Sequence, residues 1–265
     1  MLLYVMIKAI SGGENMADNR LAFDKITDIF DKWRCRYSQE LFDYIVKECG
    51  LDKSKKCLEI GPGTGQATDF ALQTGCDYTA IELGENLAAF MKNKYATYPN
   101  FHIVNADFET YGFEENTYDL VYSAATIQWI KEDIAYSKCA DMLKEGGYLA
   151  MFLTRGDYRT PNPELYASIQ KIYDEYFKPE NPYRCKFDYE NGTSYGLQYL
   201  GRKEFYGRRE FTADEYIEYI HTHSDHTAIK EDCREPFFEG IRNAIVQFGD
   251  RIVFQDTYVL YLYKK

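Results

Sequence analysis

The stretch CLEIGPGTGQATDF, residues 57–70, sets Gly61, Gly63 and Gly65 between an apolar run and a segment of helical spacing. A glycine-rich turn leaving a strand lets backbone N–H groups approach a nucleotide closely. A dinucleotide loop wants G-x-G-x-x-G, whose third glycine packs the helix against the strand. Here Gln66 holds that position and the pattern is G-x-G-x-G. Glu59 precedes Gly61 by two residues. An acid there would repel a pyrophosphate and suits a ligand that carries an ammonium. Glu82 closes the next apolar run, YTAIE, where a carboxylate can accept from both ribose hydroxyls. Asp107 closes a third run in NADFE. Each feature alone has a bland reading as a tight turn, a solvated strand end or a helix N-cap.

Other candidate groups are weaker. His221, His223 and His226 cluster in HTHSDH, but no acid or cysteine at matching spacing supports a metal site. His223 or His226 could instead touch a substrate. Arg155 and Arg159 could hold a carboxylate or be surface charges. Seven scattered cysteines form no CxxC pair, which fits reduced thiols in a cytoplasmic protein. The net charge of −11 argues against nucleic acid as the main partner. The basic stretch Arg202-Lys203 with Arg208-Arg209 is expected to be a solvated face. No run is long and apolar enough to cross a membrane. The weak apolar N-terminus does not read as a signal peptide. Residues 1–19 are expected to be a disordered extension, with Met1 and Met16 both open as the natural start.

The elements that must position these residues alternate. Helical spacing from Leu21 to Val46 predicts two helices with a break near RCRYS. Strands are expected at 57–60, 78–82, 101–107, 118–124 and 148–153. Helices are expected at 66–72, 85–95 and 134–144, the last stopped by Gly146-Gly147. Such alternation predicts parallel β-α-β units and a doubly wound α/β sheet. Residues 155–200 break the rhythm. They hold one amphipathic helix (Leu165, Ile169, Ile172, Tyr173, Tyr176) and a Pro-containing NPY stretch at 181–183. They read as an insertion over the sheet. A strand at 203–210, a helix opened by the capping pattern Thr212-Ala-Asp-Glu215, a helix at 235–247 and the strand TYVLYLYKK complete the chain.

In this order the motifs resemble the class I S-adenosylmethionine-dependent methyltransferases. LEIGPGTG is similar to their first motif, and LKEGGYLAMF to the turn into their fifth strand. The resemblance covers roughly residues 20–154. It implies a Rossmann-like, mostly parallel seven-stranded sheet, with a helical cap over residues 20–50 and a lid-like insertion over 155–200. It implies S-adenosylmethionine as cofactor, contacted by Glu59, Gly61, Gly63, Gly65, Glu82, Leu83, Asp107, Phe108, Ala124 and Tyr37. In the family the acid at Asp107 accepts from the adenine amino group and Phe108 lies beside the ring.

ATIQWI and FTADEYIEYIHTHSDH further resemble the small-molecule branch that includes trans-aconitate methyltransferase. Trp33-Arg34-Cys35-Arg36-Tyr37 stands in that branch's N-terminal motif, with both prolines missing. Gln128 precedes Trp129 where many branches have His. No Asn/Asp-Pro-Pro-Tyr/Phe stretch follows the fourth strand, as amino methylases of bases would require. Gln128, Trp129, Trp33, Arg36, Arg155 and His223 are therefore the candidate acceptor contacts, although Trp33 also follows the helical core stripe. The expected activity is methyl transfer to a small molecule, with a carboxylic acid as one candidate acceptor. The alternatives are O- or N-methylation of a phenol or amine, or a non-catalytic adenosylmethionine-binding module. No general base, acceptor atom or oligomeric state is legible.

Overall fold

The computed structural model describes residues 20–21, 23–179 and 186–265. The expected extension 1–19, the NPY stretch and Cys185 lie outside the described residues. A 3-10 turn, Phe23–Ile26, leads into α1 (Thr27–Trp33), and α2 follows at Gln39–Cys49. The break falls at RCRYS, because Ser38 caps α2 by accepting from the Leu41 N–H. Gly50 ends α2 in a left-handed conformation.

The alternating core comprises β1 (Lys56–Ile60), α3 (Asp69–Leu72), β2 (Asp77–Glu82), α4 (Glu85–Lys94), β3 (Phe101–Asn105), β4 (Tyr118–Ala124), α5 (Glu132–Met142) and β5 (Leu143–Asp157). Then come α6 (Pro163–Tyr176), β6 (Gln198–Phe211), α7 (Ala213–His221), α8 (Ser224–Thr227), α9 (Glu231–Gln247) and β7 (Ile252–Lys264). The seven-stranded sheet has the order β3-β2-β1-β4-β5-β7-β6. Its first five strands are parallel, and β7 runs antiparallel between β5 and β6. This is the expected doubly wound, mostly parallel sheet.

Several boundaries differ from the periodicity. The helix expected over 66–72 is one turn, α3, because residues 63–68 remain in the glycine-rich turn. Gly146-Gly147 does not stop a helix. Helix α5 ends at Met142, and Gly146 sits inside β5 at φ 80, where the register with β4 shifts. Positive φ is open to glycine at little cost, so the bulge falls there. Strands β5 and β6 begin earlier or run further than the apolar runs suggest. Antiparallel pairing with β7 carries them past the core, and hydrogen bonding there needs no apolar side chain. The insertion between them therefore spans 158–197.

Three cores result. One lies on the α2 and α3 face of the sheet, around Leu41, Phe70, Tyr122 and Phe152. A second lies on the α5 face around Tyr136, Met142 and Tyr263, and takes in Phe187 and Leu197 from the insertion. The third joins α6, α7 and α9 to the overhanging ends of the strands through Ile169, Tyr216, Phe237, Ile241 and Phe254. The capping box at Thr212 and Glu215 forms as expected and starts α7.

Candidate cofactor and acceptor site

Parallel strands bring their carboxyl ends to one edge. Ile60 pairs with Ile81, and Glu82 with Asn105, so the glycine turn, Glu82 and the loop carrying Asp107 are neighbours. The strand order reverses at β1, between β2 and β4, which makes this edge a topological switch point. Gly61 and Gly63 have φ of 64 and 60. A Cβ on Gly61 would stand 2.2 Å from Thr126 Cγ2, whose hydroxyl donates to the Gly61 carbonyl at 2.9 Å. Side chains longer than hydrogen are excluded, and the turn is locked against the loop after β4. Ala125 in that loop holds φ 56, unusual for a residue with a Cβ.

Glu82 is buried and accepts from the Gly63 N–H at 3.0 Å and the Gly84 N–H at 2.9 Å. Burial pushes its carboxyl up to about 7, against the opposing pull of those two amides. Glu59 is fully buried below the turn. Its Oε2 accepts from Thr68 at 2.6 Å, from Tyr122 at 2.9 Å and from Tyr78, while Oε1 has no partner. Burial raises its pKa too, with the three hydroxyls working against it.

The N-terminal cap lies on this edge. Asp24 accepts from the Leu87 N–H at 2.9 Å and from the Asn86 side chain at 3.0 Å, capping α4 from far away in sequence. Phe30 lies 3.2 Å from where a Gly63 Cβ would be. Phe23 meets Phe30 at 5.4 Å and the Trp129 ring edge-on at 5.9 Å. Arg20 donates to Asp107 Oδ2 at 3.0 Å. If Asp107 takes the adenine amino group, Arg20 competes for the same carboxylate. Arg20→Ala is then expected to tighten adenosylhomocysteine binding by a few fold, since a partly exposed pair contributes about 1 kcal/mol or less. Weaker binding in that variant, measured by calorimetry, would show that Arg20 instead helps to hold the cofactor.

The remaining candidates separate. The Leu83 carbonyl accepts from Asn105 at 3.0 Å, and Ala124 ends β4 beside Thr126. Phe108 is buried in the second core with Lys138 over its ring at 5.2 Å, so its ring faces inward. Tyr37 packs edge-on against Phe152 at 4.8 Å. Gln128 donates to the Ala125 carbonyl and accepts from Tyr189 of the insertion, both at 2.8 Å. Trp33 packs on Phe211 in the third core. Arg36 pairs with Asp31 and is half exposed. Arg155 donates to the Tyr261 hydroxyl at 3.5 Å.

The His223 and His226 rings lie 5.3 Å apart, and each of the three histidines has its own further contacts. His221 lies on Phe238 at 4.1 Å, and His226 bridges Asp225 and Tyr173, each at 2.7 Å. His223 sits edge-on to Tyr219 at 4.7 Å. Among the described residues no three metal-ligating groups converge, and no helix is long and apolar enough to cross a membrane.

Arg202, Lys203 and Arg208 are exposed as expected of a solvated face, but Arg209 is not. Alternation along β6 turns Arg208 outward and Arg209 inward, onto Asp256 at 2.5 and 2.9 Å. Arg34 was missed for the same reason, because only folding sets its guanidinium over Phe30 at 4.9 Å and Phe23 at 5.5 Å.

The sheet order, the switch-point glycine turn and the acid-ended strands are those of the class I methyltransferase fold. Residues 58–151 match the family described as "Methyltransferase domain". The chain is 26% identical over 153 residues to a malonyl-[acyl-carrier protein] O-methyltransferase of Marinomonas sp., covering 56% of this chain and 55% of that one. It is 32% identical over 79 residues to ribosomal RNA small subunit methyltransferase A of Hahella chejuensis, covering 30% and 29%. The chain thus spans about half or less of these curated relatives. A solved structure from Anaeromyxobacter dehalogenans, titled as a type II methyltransferase, superposes with TM-score 0.64 at 18% identity. It covers 86% of this chain and 97% of that one, and shares the fold.

S-adenosylmethionine is the cofactor of this domain class. The residues present fit it: a glycine cradle that a Cβ would fill, and a buried Glu59 oxygen without a partner.

Proposed function

We propose that the chain transfers a methyl group from S-adenosylmethionine to a small molecule bearing a carboxylic acid. The observation that carries the cofactor part of this reading is the Gly63 N–H donating to Glu82, which sets an acid at the mouth of the glycine turn. In this reading Glu82 accepts from the ribose hydroxyls, Asp107 accepts from the adenine amino group, and Gly61, Gly63 and Gly65 let the backbone approach. Glu59 Oε1 is the acceptor available for the ammonium. The cofactor supplies an electrophilic methyl on a sulfonium. The chain's own part is to hold an acceptor in line with it, which by itself lowers a barrier strongly. The cap and the insertion serve as a lid that excludes water.

A carboxylate acceptor is already ionised at pH 7 and needs no general base. The acidic chain favours a small molecule over RNA, although part of it resembles a ribosomal RNA methyltransferase. Six unpaired thiols among the described residues suit a cytoplasmic setting. The test combines calorimetry with adenosylhomocysteine and a metabolite extract incubated with methyl-labelled cofactor. Cofactor binding with label entering a carboxylate ester supports the reading. Binding without any label transfer would make the chain a non-catalytic module.

A further inference from the structure

We infer that the outer edge of β6 is a docking surface for a second copy of this chain, the two β6 strands pairing antiparallel about a two-fold axis at Tyr206. The surface lies at the end of the sheet opposite β3 and does not depend on what the glycine turn binds. β6 is the last strand in the order, and among the described residues the backbone of 201–211 has no backbone partner other than β7. Its outer side is a row of unpaired N–H and C=O groups, which templates another strand. The open stretch has two natural ends. The register with β7 slips between Tyr199 and Gly201, and Thr212 begins the cap of α7. Residues 202–210 lie between them, a run of about 30 Å at about 3.3 Å per residue. Its midpoint is Tyr206.

Alternation along the strand puts Arg202, Glu204, Tyr206, Arg208 and Glu210 on one face. Tyr206 is 68% exposed. Within the chain the charged groups pair along the strand, Arg202 with Glu204 and Arg208 with Glu210 at 2.9 Å, and Arg251 also reaches Glu210 at 2.7 Å. Such exposed pairs contribute little. Their order matters more. A two-fold axis between antiparallel strands sets side chains of the same face directly opposite, so it must pass through a residue. An axis at Glu204 would oppose that carboxylate to its own copy. At Phe205 it would set Arg202 against Arg208, and at Gly207 Glu204 against Glu210. At Arg208 it would oppose that guanidinium to itself. With the axis at Tyr206, Arg202 meets Glu210 of the second copy, Glu204 meets its Arg208, and the two Tyr206 rings meet each other. Unlike charges directly across an antiparallel pair stabilise it, and like charges destabilise it.

The opposite face of the strand tolerates the same register. Lys203 comes opposite Arg209, whose charge Asp256 already holds, and the Lys203 ammonium lies over the Tyr44 ring of α2 at 3.9 Å. Arg251 leaves Glu210 between two guanidiniums, one from its own chain and one from the second copy. Charged side chains normally blunt an exposed edge against arbitrary strands. Here the order of signs is complementary to its own reversal, so the edge selects the same chain.

Sedimentation velocity of the full chain, over a wide range of concentration, tests this pairing. The wild type is expected to sediment as two copies. Arg208→Glu sets two carboxylates opposite each other at Glu204, and Glu204→Arg sets two guanidiniums opposite each other at Arg208. Each variant alone should associate at least tenfold more weakly. Neither side chain is buried, so both variants should keep the fold. Mixed in equal amounts, the two variants should associate again to within a few fold of the wild type, because each supplies the sign that the other lacks. A wild type that stays a single copy at every concentration overturns the interface. Association undiminished in both variants means pairing through another face and overturns the role of β6. Loss in each variant without recovery on mixing overturns the register at Tyr206.

Discussion

If Glu82 accepts from the ribose as proposed, replacing it with alanine is expected to weaken adenosylhomocysteine binding by about 2–4 kcal/mol, the loss of two charge-assisted hydrogen bonds. The carboxylate is placed for that exchange. It now accepts from the Gly63 and Gly84 amides, so it is fixed at the mouth of the glycine turn before any ligand arrives. The same variant has a pH signature. The Glu82 carboxyl is raised by burial to about 7 from an ordinary 4.5. The folded protein therefore holds this proton more tightly than the unfolded chain. The stabilisation is fully present below about pH 4.5 and is lost as pH rises through about 7. At about 1.36 kcal/mol per unit, the wild type should lose up to about 3 kcal/mol relative to Glu82→Ala between pH 4.5 and 8. Cofactor affinity runs the other way, because the ionised form is the better acceptor. It should fall below pH 7 in the wild type and stay flat in the variant. Calorimetry and urea unfolding at pH 5 and 8 measure both. An unchanged affinity in Glu82→Ala would remove the cofactor assignment.

Arg209→Ala is expected to destabilise the fold by about 3–5 kcal/mol, the cost of leaving a buried carboxylate without its partner. Asp256 is 1% exposed and is gripped by both the Nε and an Nη of Arg209. The pair joins neighbouring antiparallel strands, β6 and β7, at the base of the overhang that carries the third core. Its net contribution is smaller than the loss on breaking it, because desolvating both ions offsets much of their attraction. The double variant Arg209→Met, Asp256→Leu should therefore recover most of the loss. Urea unfolding of the single and double variants decides the matter. A loss under about 1 kcal/mol in Arg209→Ala would mean that water reaches Asp256.

The sequence by itself determined the parallel half of the sheet and the edge that carries the glycine turn. Glycines with obligatory positive φ, acids closing apolar runs, and helical spacing between strands are local signals, and parallel pairing aligns their ends whatever the loops do. It also determined the α7 start, since a capping box is a contact within one turn. The tertiary structure alone decided the lengths of β5 and β6, because backbone pairing with β7 needs no apolar code. It alone decided which arginine matters. Arg208 and Arg209 are adjacent and chemically identical, and the strand's register sends one to solvent and the other to Asp256. Arg34 and Arg36 differ only by the turn after α1, which lays one on aromatic rings and leaves the other on Asp31. Side-chain direction at such positions is a property of packing between distant segments, and no spacing within one segment encodes it.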